Sequence, residues 1–485
     1  MAQPVGKLRG KWSSRLMQFR WRPWALLTPI VVLIVALPML RPLFWPGEPG
    51  PGEALLWASV QSASTGNALR LPEEWEGKPG TVTIESGRGQ DLNRSNIYES
   101  NIYASIVYES NVYASRPPLF AVMLAGPTWA LVNLTGLNKG VNDAVLLFLV
   151  TLIGVTIPTA IGASMLYRTA RLFELPRAWR SILALTCVMG SGWISYATVL
   201  SPHAPAAACV TASVTIIMFV AAARRVSRAL GWLMLSGLFA GLAVAIDPWT
   251  ICVAGFLPVV VLGLPALWRQ RILGVVLLLV GTLPALWAHS AWSITTVGSF
   301  FPHSITLGNA RALIEDDGVA LSWMSDAAAL LLGRHGLLNH FPLIIAGLIG
   351  AGMVVRRHWP AHAKLLAGVS VVSLFICLFA ALNRDTLNAG ELRGEMFAQR
   401  WAVCTVPLVI LWCGPLLRHW LGQDRLTMNA SSVSKRLRRW SISVFCIAWT
   451  WSVLASIAGA TGALPERPYG GHTALTAAKR ALLGN

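Results

Sequence analysis

Long apolar runs separated by short polar breaks set the pattern of this chain. Eleven runs are read as membrane-spanning helices: 24–45, 141–167, 181–200, 206–223, 230–248, 250–267, 272–290, 341–355, 365–382, 401–417 and 441–463. Crossing about 30 Å of hydrocarbon takes roughly 20 apolar helical residues. Most runs reach that length, and 206–223 and 341–355 are short of it. Hydrophobic residues make up 55% of the chain and charged residues 12%, with a mean hydropathy of +0.57. That balance excludes a soluble domain of 485 residues. The expected fold is an all-α polytopic membrane protein of about 11 transmembrane helices with a long first external loop.

Charge then orients the helices. Segment 1–23 carries Lys7, Arg9, Lys11, Arg15, Arg20 and Arg22 and no acid, so it is expected in the cytoplasm. Counting spans from there, alternate loops collect Arg168, Arg171, Arg177 and Arg180; Arg224, Arg225 and Arg228; Arg269 and Arg271; Arg356, Arg357 and Lys364; and Arg418, Arg425, Lys435, Arg436, Arg438 and Arg439. Together with the N-terminus these hold 24 of the 39 basic residues but only two of the 21 acids, Glu174 and Asp424. The positive-inside rule produces such a bias in a cytoplasmic (inner) membrane. The pattern requires that one further apolar stretch, 118–136, does not cross. It is read as a helix in the outer interface, which Gly126-Pro127 and Trp129 suit. The basic leader also fits a signal peptide. The first run ends in LPMLRPLFWPG without a small-residue cleavage site, so a signal anchor is the better reading.

The net charge of +18 raises the question of nucleic acid. Its bases are divided among cytoplasmic loops, where orientation and anionic membrane lipids account for them, so no nucleic-acid partner is expected. All seven cysteines fall within spans, so neither a disulfide framework nor a cysteine metal site is implied. The 22 tryptophans fit interfacial anchoring and packing.

Three external segments are long enough to build a site: 46–140, 291–340 and 383–400; the tail 464–485 is also external. The first holds Glu48, Glu53, Glu73, Glu74, Glu76, Glu85, Asp91, Glu99 and Glu109. A surface helix over 54–65 and a strand at 81–84 are expected there. From Gln90 the chain reads QDLNR SNIYE SNIYA SIVYE SNVYA, a period of five through 90–114 that contains Tyr98, Tyr103, Tyr108 and Tyr113. The order of small, Asn/Asp and apolar positions resembles pentapeptide-repeat proteins, which wind a square β-coil. Twenty-five residues make only about one coil, and tandem expansion of a surface loop is the simpler account. Either way the segment is expected to be extended, with tyrosines at alternating faces. Ser115-Arg116-Pro117-Pro118-Leu119 stops the run and starts the interfacial helix.

A long acidic loop after the first span, followed by Ser-Arg-Pro-Pro-Leu and an interfacial helix, resembles the GT-C superfamily of integral-membrane glycosyltransferases. Closest are bacterial relatives of the dolichyl-phosphate-mannose protein mannosyltransferases and the lipid A aminoarabinose transferase. Further local matches follow in order: Leu200-Ser201-Pro202-His203-Ala204; Gly237-Leu238-Phe239-Ala240-Gly241-Leu242-Ala243 running to Asp247; Arg334-His335-Gly336-Leu337-Leu338 with Pro342; and Asn388-Ala389-Gly390-Glu391 followed by Arg400-Trp401. The chain also departs from the family pattern. The acid after the first span, usually Asp, is matched by Glu48 or Glu53, and Asn-x-Gly-Gly has become Asn-Ala-Gly-Glu.

The resemblance implies transfer of a sugar from a polyprenyl-phosphate carrier to a lipid, glycan or protein acceptor at the outer face. Such chemistry needs a carboxylate to take the acceptor proton, cations for the departing phosphate and an apolar groove for the isoprenoid. Glu53 is the first choice for the base, with Glu99 and Glu109 behind it. Arg116, Arg334 and Arg400 are the candidates for the phosphate, and His203, His335 and Glu391 for phosphate or sugar. A divalent cation, Mg²⁺ or Mn²⁺, fits carboxylate ligands, although no spacing demands one. His289 lies just inside a span end, where an ionisable side chain is either functional or a satisfied packing residue. Asp247-Pro248-Trp249 reads better as a cap on a tight turn than as a sugar contact. Two alternatives stay open: a non-catalytic membrane protein, and a lipid or solute transporter on the same scaffold. The spans are nearly empty of charge, which counts against transport.

Overall fold

The computed structural model describes residues 23–40, 51–66, 81–82, 105–108, 111–114, 118–137, 143–223, 226–297, 327–328, 330–333, 336–357, 359–382, 400–421 and 432–460. Its principal helices are α1 (Pro23–Ala36), α2 (Pro51–Ser64), α3 (Pro118–Thr135), α4 (Asp143–Phe173), α5 (Arg177–Met189), α6 (His203–Ala221) and α7 (Trp232–Ile246). These are followed by α8 (Pro248–Leu262), α9 (Trp268–Val297), α10 (Leu343–Arg356), α11 (Ala361–Leu382), α12 (Ala402–Trp420) and α13 (Ser432–Ala460).

Each of the eleven expected spans coincides with helix, yet not all are long enough to cross alone. Seven helices meet the length and apolarity of a span, or eight if the bent pair Leu330–His340 and α10 is counted as one. Among the seven is α3, the stretch expected from the charge partition to lie in the interface, which by length and apolarity is also able to cross. Helices α7 and α8 are apolar but shorter, and α1 extends only to Met39 through a 3-10 turn. The fifth helix stops at Met189, and Gly192, with φ of +76°, turns the chain into the four-residue helix Trp193–Tyr196. A continuous apolar run on paper is therefore two pieces in space.

Helices α6 and α12 are the most enclosed of the long helices, while α9 and α13 keep most of their apolar surface exposed. Leu283 and Trp287 on α9 and Val444 and Ile447 on α13 stand outward, as lipid-facing side chains do. Between helices in lipid, close packing and small polar bonds replace the hydrophobic effect. Gly237 and Gly241 of α7 face α9 so closely that a Cβ at Gly237 would overlap the Leu278 carbonyl, and one at Gly241 would stand 2.6 Å from that of Thr282. Gly347 and Gly350 seat α10 against the backbone of α12 in the same way. Hydroxyl pairs add to this: Ser213 with Ser236 joins α6 to α7, and Thr169 with Thr215 joins α4 to α6, both at 2.8 Å.

The strands among the described residues form one small sheet: β1 (Thr81–Val82), parallel to β2 (Ser105–Tyr108), which pairs antiparallel with β3 (Asn111–Ala114). These last pentads form a hairpin rather than a coil. Because the chain reverses between them, with Ile106 opposite Tyr113 and Tyr108 opposite Asn111, the positions of Tyr108 and Tyr113 share one face. Of the tyrosines expected at alternating faces, these two therefore lie on the same one, and Tyr98 and Tyr103 lie outside the described residues.

Candidate functional site

Helix α6 begins at His203, and α7 ends immediately before Asp247. The two ends meet: His203 Nδ1 lies 2.7 Å from Asp247 Oδ2, with the side chains 12% and 4% exposed. Oδ1 of the same carboxylate accepts the Trp249 N–H at 3.2 Å, and the Asp247 carbonyl accepts the Thr250 N–H and hydroxyl. The capping role expected of Asp247 is present, and the carboxylate also holds the histidine. A carboxylate on Nδ1 fixes the orientation of the imidazole and leaves Nε2 for another partner. Tyr196 meets the His203 ring edge-on, with centroids 5.9 Å apart.

The start of α6 is itself anchored. The Trp193 indole N–H donates to the Ala204 carbonyl at 3.0 Å, and Ser195 donates to the Ser456 carbonyl of α13 at 2.6 Å. The 3-10 turn Arg400–Cys404 packs against both α6 and the turn Pro248–Thr250. Beside Asp247, three buried thiols from three elements touch: Cys252 with Cys377, and Cys377 with Cys404. The Ser373 hydroxyl donates to the Cys252 carbonyl, tying α11 to α8. Buried thiols of this kind pack as small apolar groups. Among the described residues, no group of three or more His, Cys, Asp or Glu side chains is suited to a metal ion.

Helix α2 lies on α3 and against β3, burying Leu56, Trp57 and Val60. Gln61 Nε2 donates to Asp143 Oδ1 at the start of α4, 3.2 Å away. At the opposite end of the bundle, Glu174 pairs with Arg418 at 3.0 Å. Residues assigned by charge to one side thus meet one another at each end.

No family model matches the chain, and no curated protein matches it in sequence. Its backbone does match a solved structure, the Archaeoglobus fulgidus oligosaccharyltransferase tethered to an acceptor peptide, with a TM-score of 0.50 over 91% of this chain at 11% identity. The fold is of the GT-C type. The chain spans about half, 55%, of the length of that oligosaccharyltransferase. ArnT from Cupriavidus metallidurans, bound to undecaprenyl phosphate, is also similar, with a TM-score of 0.47 and 15% identity over 96% of this chain and 75% of that one. The protein is accordingly an integral, multi-pass membrane protein of GT-C fold.

Within that GT-C frame, the turn that Arg400 opens packs against α6, the helix that begins at His203. Glu53 stands in the first turn of α2, with its side chain outside the described set. Arg116, Arg334, His335 and Glu391 lie outside the described residues. Two features escaped the sequence reading. The partnership of Asp247 with His203 was signalled by their place at adjoining span ends. The thiol contact was signalled by three cysteines at the same ends of 250–267, 365–382 and 401–417.

Proposed function

We propose that this protein is a membrane glycosyltransferase moving a sugar from a polyprenyl-phosphate donor to an acceptor at the outer face of the cytoplasmic membrane, with its N-terminus inside. The observation that carries the reading is the His203–Asp247 pair, held at the acid-rich end of a GT-C fold beside the turn opened by Arg400. In this reading the acceptor hydroxyl oxygen attacks the anomeric carbon and the bond from that carbon to the carrier phosphate breaks. The hydroxyl proton passes to Glu53, and polyprenyl phosphate leaves. Arg116, Arg334 and Arg400 hold the departing phosphate, a task that suits the planar guanidinium fork. His203 contacts the donor through Nε2, while His335 and Glu391 complete the surround.

The test is transfer of radiolabelled sugar from polyprenyl-phosphate carriers in vesicles. Glu53→Gln is expected to lower transfer about 10²–10⁴-fold, the usual worth of a general base, and Arg116→Ala to lower it less. Equal transfer in all variants would remove these residues from the reaction. No transfer by the intact protein from any carrier-linked sugar would return the choice to a non-catalytic or transport role.

A further inference from the structure

His289 belongs to the buried stripe of α9 formed by Gly274, Leu278, Gly281, Ala285 and His289. It is 6% exposed, and among the described residues neither ring nitrogen has a hydrogen-bond partner. A neutral imidazole carries one donor and one acceptor, and leaving both buried and unmet costs the desolvation of each. Burial of that kind calls for a missing partner.

Its place suggests which partner. The stripe is the face of α9 that meets α7: Gly237 lies against Leu278, and Gly241 against Thr282, so the two helices run in the same direction. On α9, His289 lies about two turns beyond Thr282, toward the end of the bundle at which α7 stops and Asp247 follows. Helix α9 also packs against α3, α8 and strand β2. No charged residue occurs in α3, α7, α8 or β2. An anion at His289 would meet no cation on these elements. An uncharged group that donates and accepts at once would satisfy both nitrogens.

We propose that His289 is a carbohydrate-binding residue, its ring nitrogens exchanging hydrogen bonds with hydroxyl groups of the transferred sugar in a subsite between α3, α7 and α9. The proposal rests on the glycosyltransferase reading and extends it from the lipid phosphate to the sugar. A subsite built this way leaves its polar residue unmet when no sugar is present, so the empty protein gives up stability there for binding.

The experiment uses the full-length protein in lipid nanodiscs and reads tryptophan fluorescence, since Trp292 lies one turn from His289. Ligands are undecaprenyl phosphate, its glucosyl, mannosyl and N-acetylglucosaminyl derivatives, and the free methyl glycosides. The intact protein should bind one glycosylated carrier about tenfold more tightly than the bare carrier, the worth of a pair of buried hydrogen bonds. His289→Phe should erase that preference, leave bare-carrier affinity unchanged, and keep or raise the melting temperature; His289→Asn should retain part of the preference. A methyl glycoside that binds by way of His289 would support the same subsite with the acceptor as its source. A full tenfold preference in His289→Phe would overturn the proposal. So would a fall in melting temperature together with loss of bare-carrier binding, which would mark a structural histidine. If no sugar improves on the bare carrier, the subsite does not exist; if the bare carrier also fails to bind, the glycosyltransferase reading falls with it.

Discussion

At the basic end of the bundle, Phe173 stands edge-on to Trp359 at 5.9 Å and to Trp412 at 5.6 Å, the Arg418 guanidinium lies over the Trp359 ring, and Glu174 closes on Arg418. Gly414 leaves just enough room for the Phe173 ring. At the acidic end, a carboxylate holds one histidine, while the ring nitrogens of a second, His289 on α9, have no hydrogen-bond partner among the described residues. The basic end is clamped by rings, by a guanidinium lying over one of them and by an ion pair. The acidic end carries a histidine–carboxylate pair and a second buried histidine. That difference makes the basic end a place to test stability and the acidic end, under the proposed function, a place to test transfer.

The contrast can be broken at either end. The largest expected effect is on stability at the basic end. Phe173→Ala removes a fully buried ring and should cost about 3–5 kcal/mol, seen as a lowered unfolding temperature in detergent, with transfer per folded molecule unchanged. If transfer fell in step with stability, the two ends would not be separable. Next comes Asp247→Asn, which keeps the size of the side chain and removes the charge behind His203. Transfer should fall about a hundredfold, or about 2.7 kcal/mol on the barrier, with little change in unfolding temperature. The reverse outcome would make the pair a structural tie. The smallest effect belongs to Glu174→Gln. The pair it breaks is partly exposed, with Glu174 43% accessible, so the loss should lie within about 1 kcal/mol and vanish in high salt.

The two ends were also unequally legible in the sequence. The distribution of Arg and Lys separated them before any contact was known, because orientation depends on charge counts in loops. The positions of α4, α6, α9 and α11 followed from hydropathy alone. What hydropathy could not report was the break after Met189, which depends on a glycine backbone angle, or the hairpin at 105–114, which depends on where the chain reverses. Asp247 shows the limit most clearly. Its cap on Trp249 is local and was readable from Asp-Pro-Trp, whereas its bond to His203 spans 44 residues and needs two helix ends in register. His289 was noticed for its place, but its lack of a partner is a property of everything around it.

The five-residue period of the external repeat has an arithmetic of its own. Five is odd, whereas a strand alternates by two. Gaining or losing one pentad within a strand therefore swaps the face of every residue that follows, while a change of two restores it. In the register of β2 and β3 the reversal of the chain cancels that swap, and Tyr108 and Tyr113, five residues apart, come to share one face. A turn placed between two copies thus does for the repeat what an even period would do along one strand: it gathers the tyrosines of successive pentads on the same side.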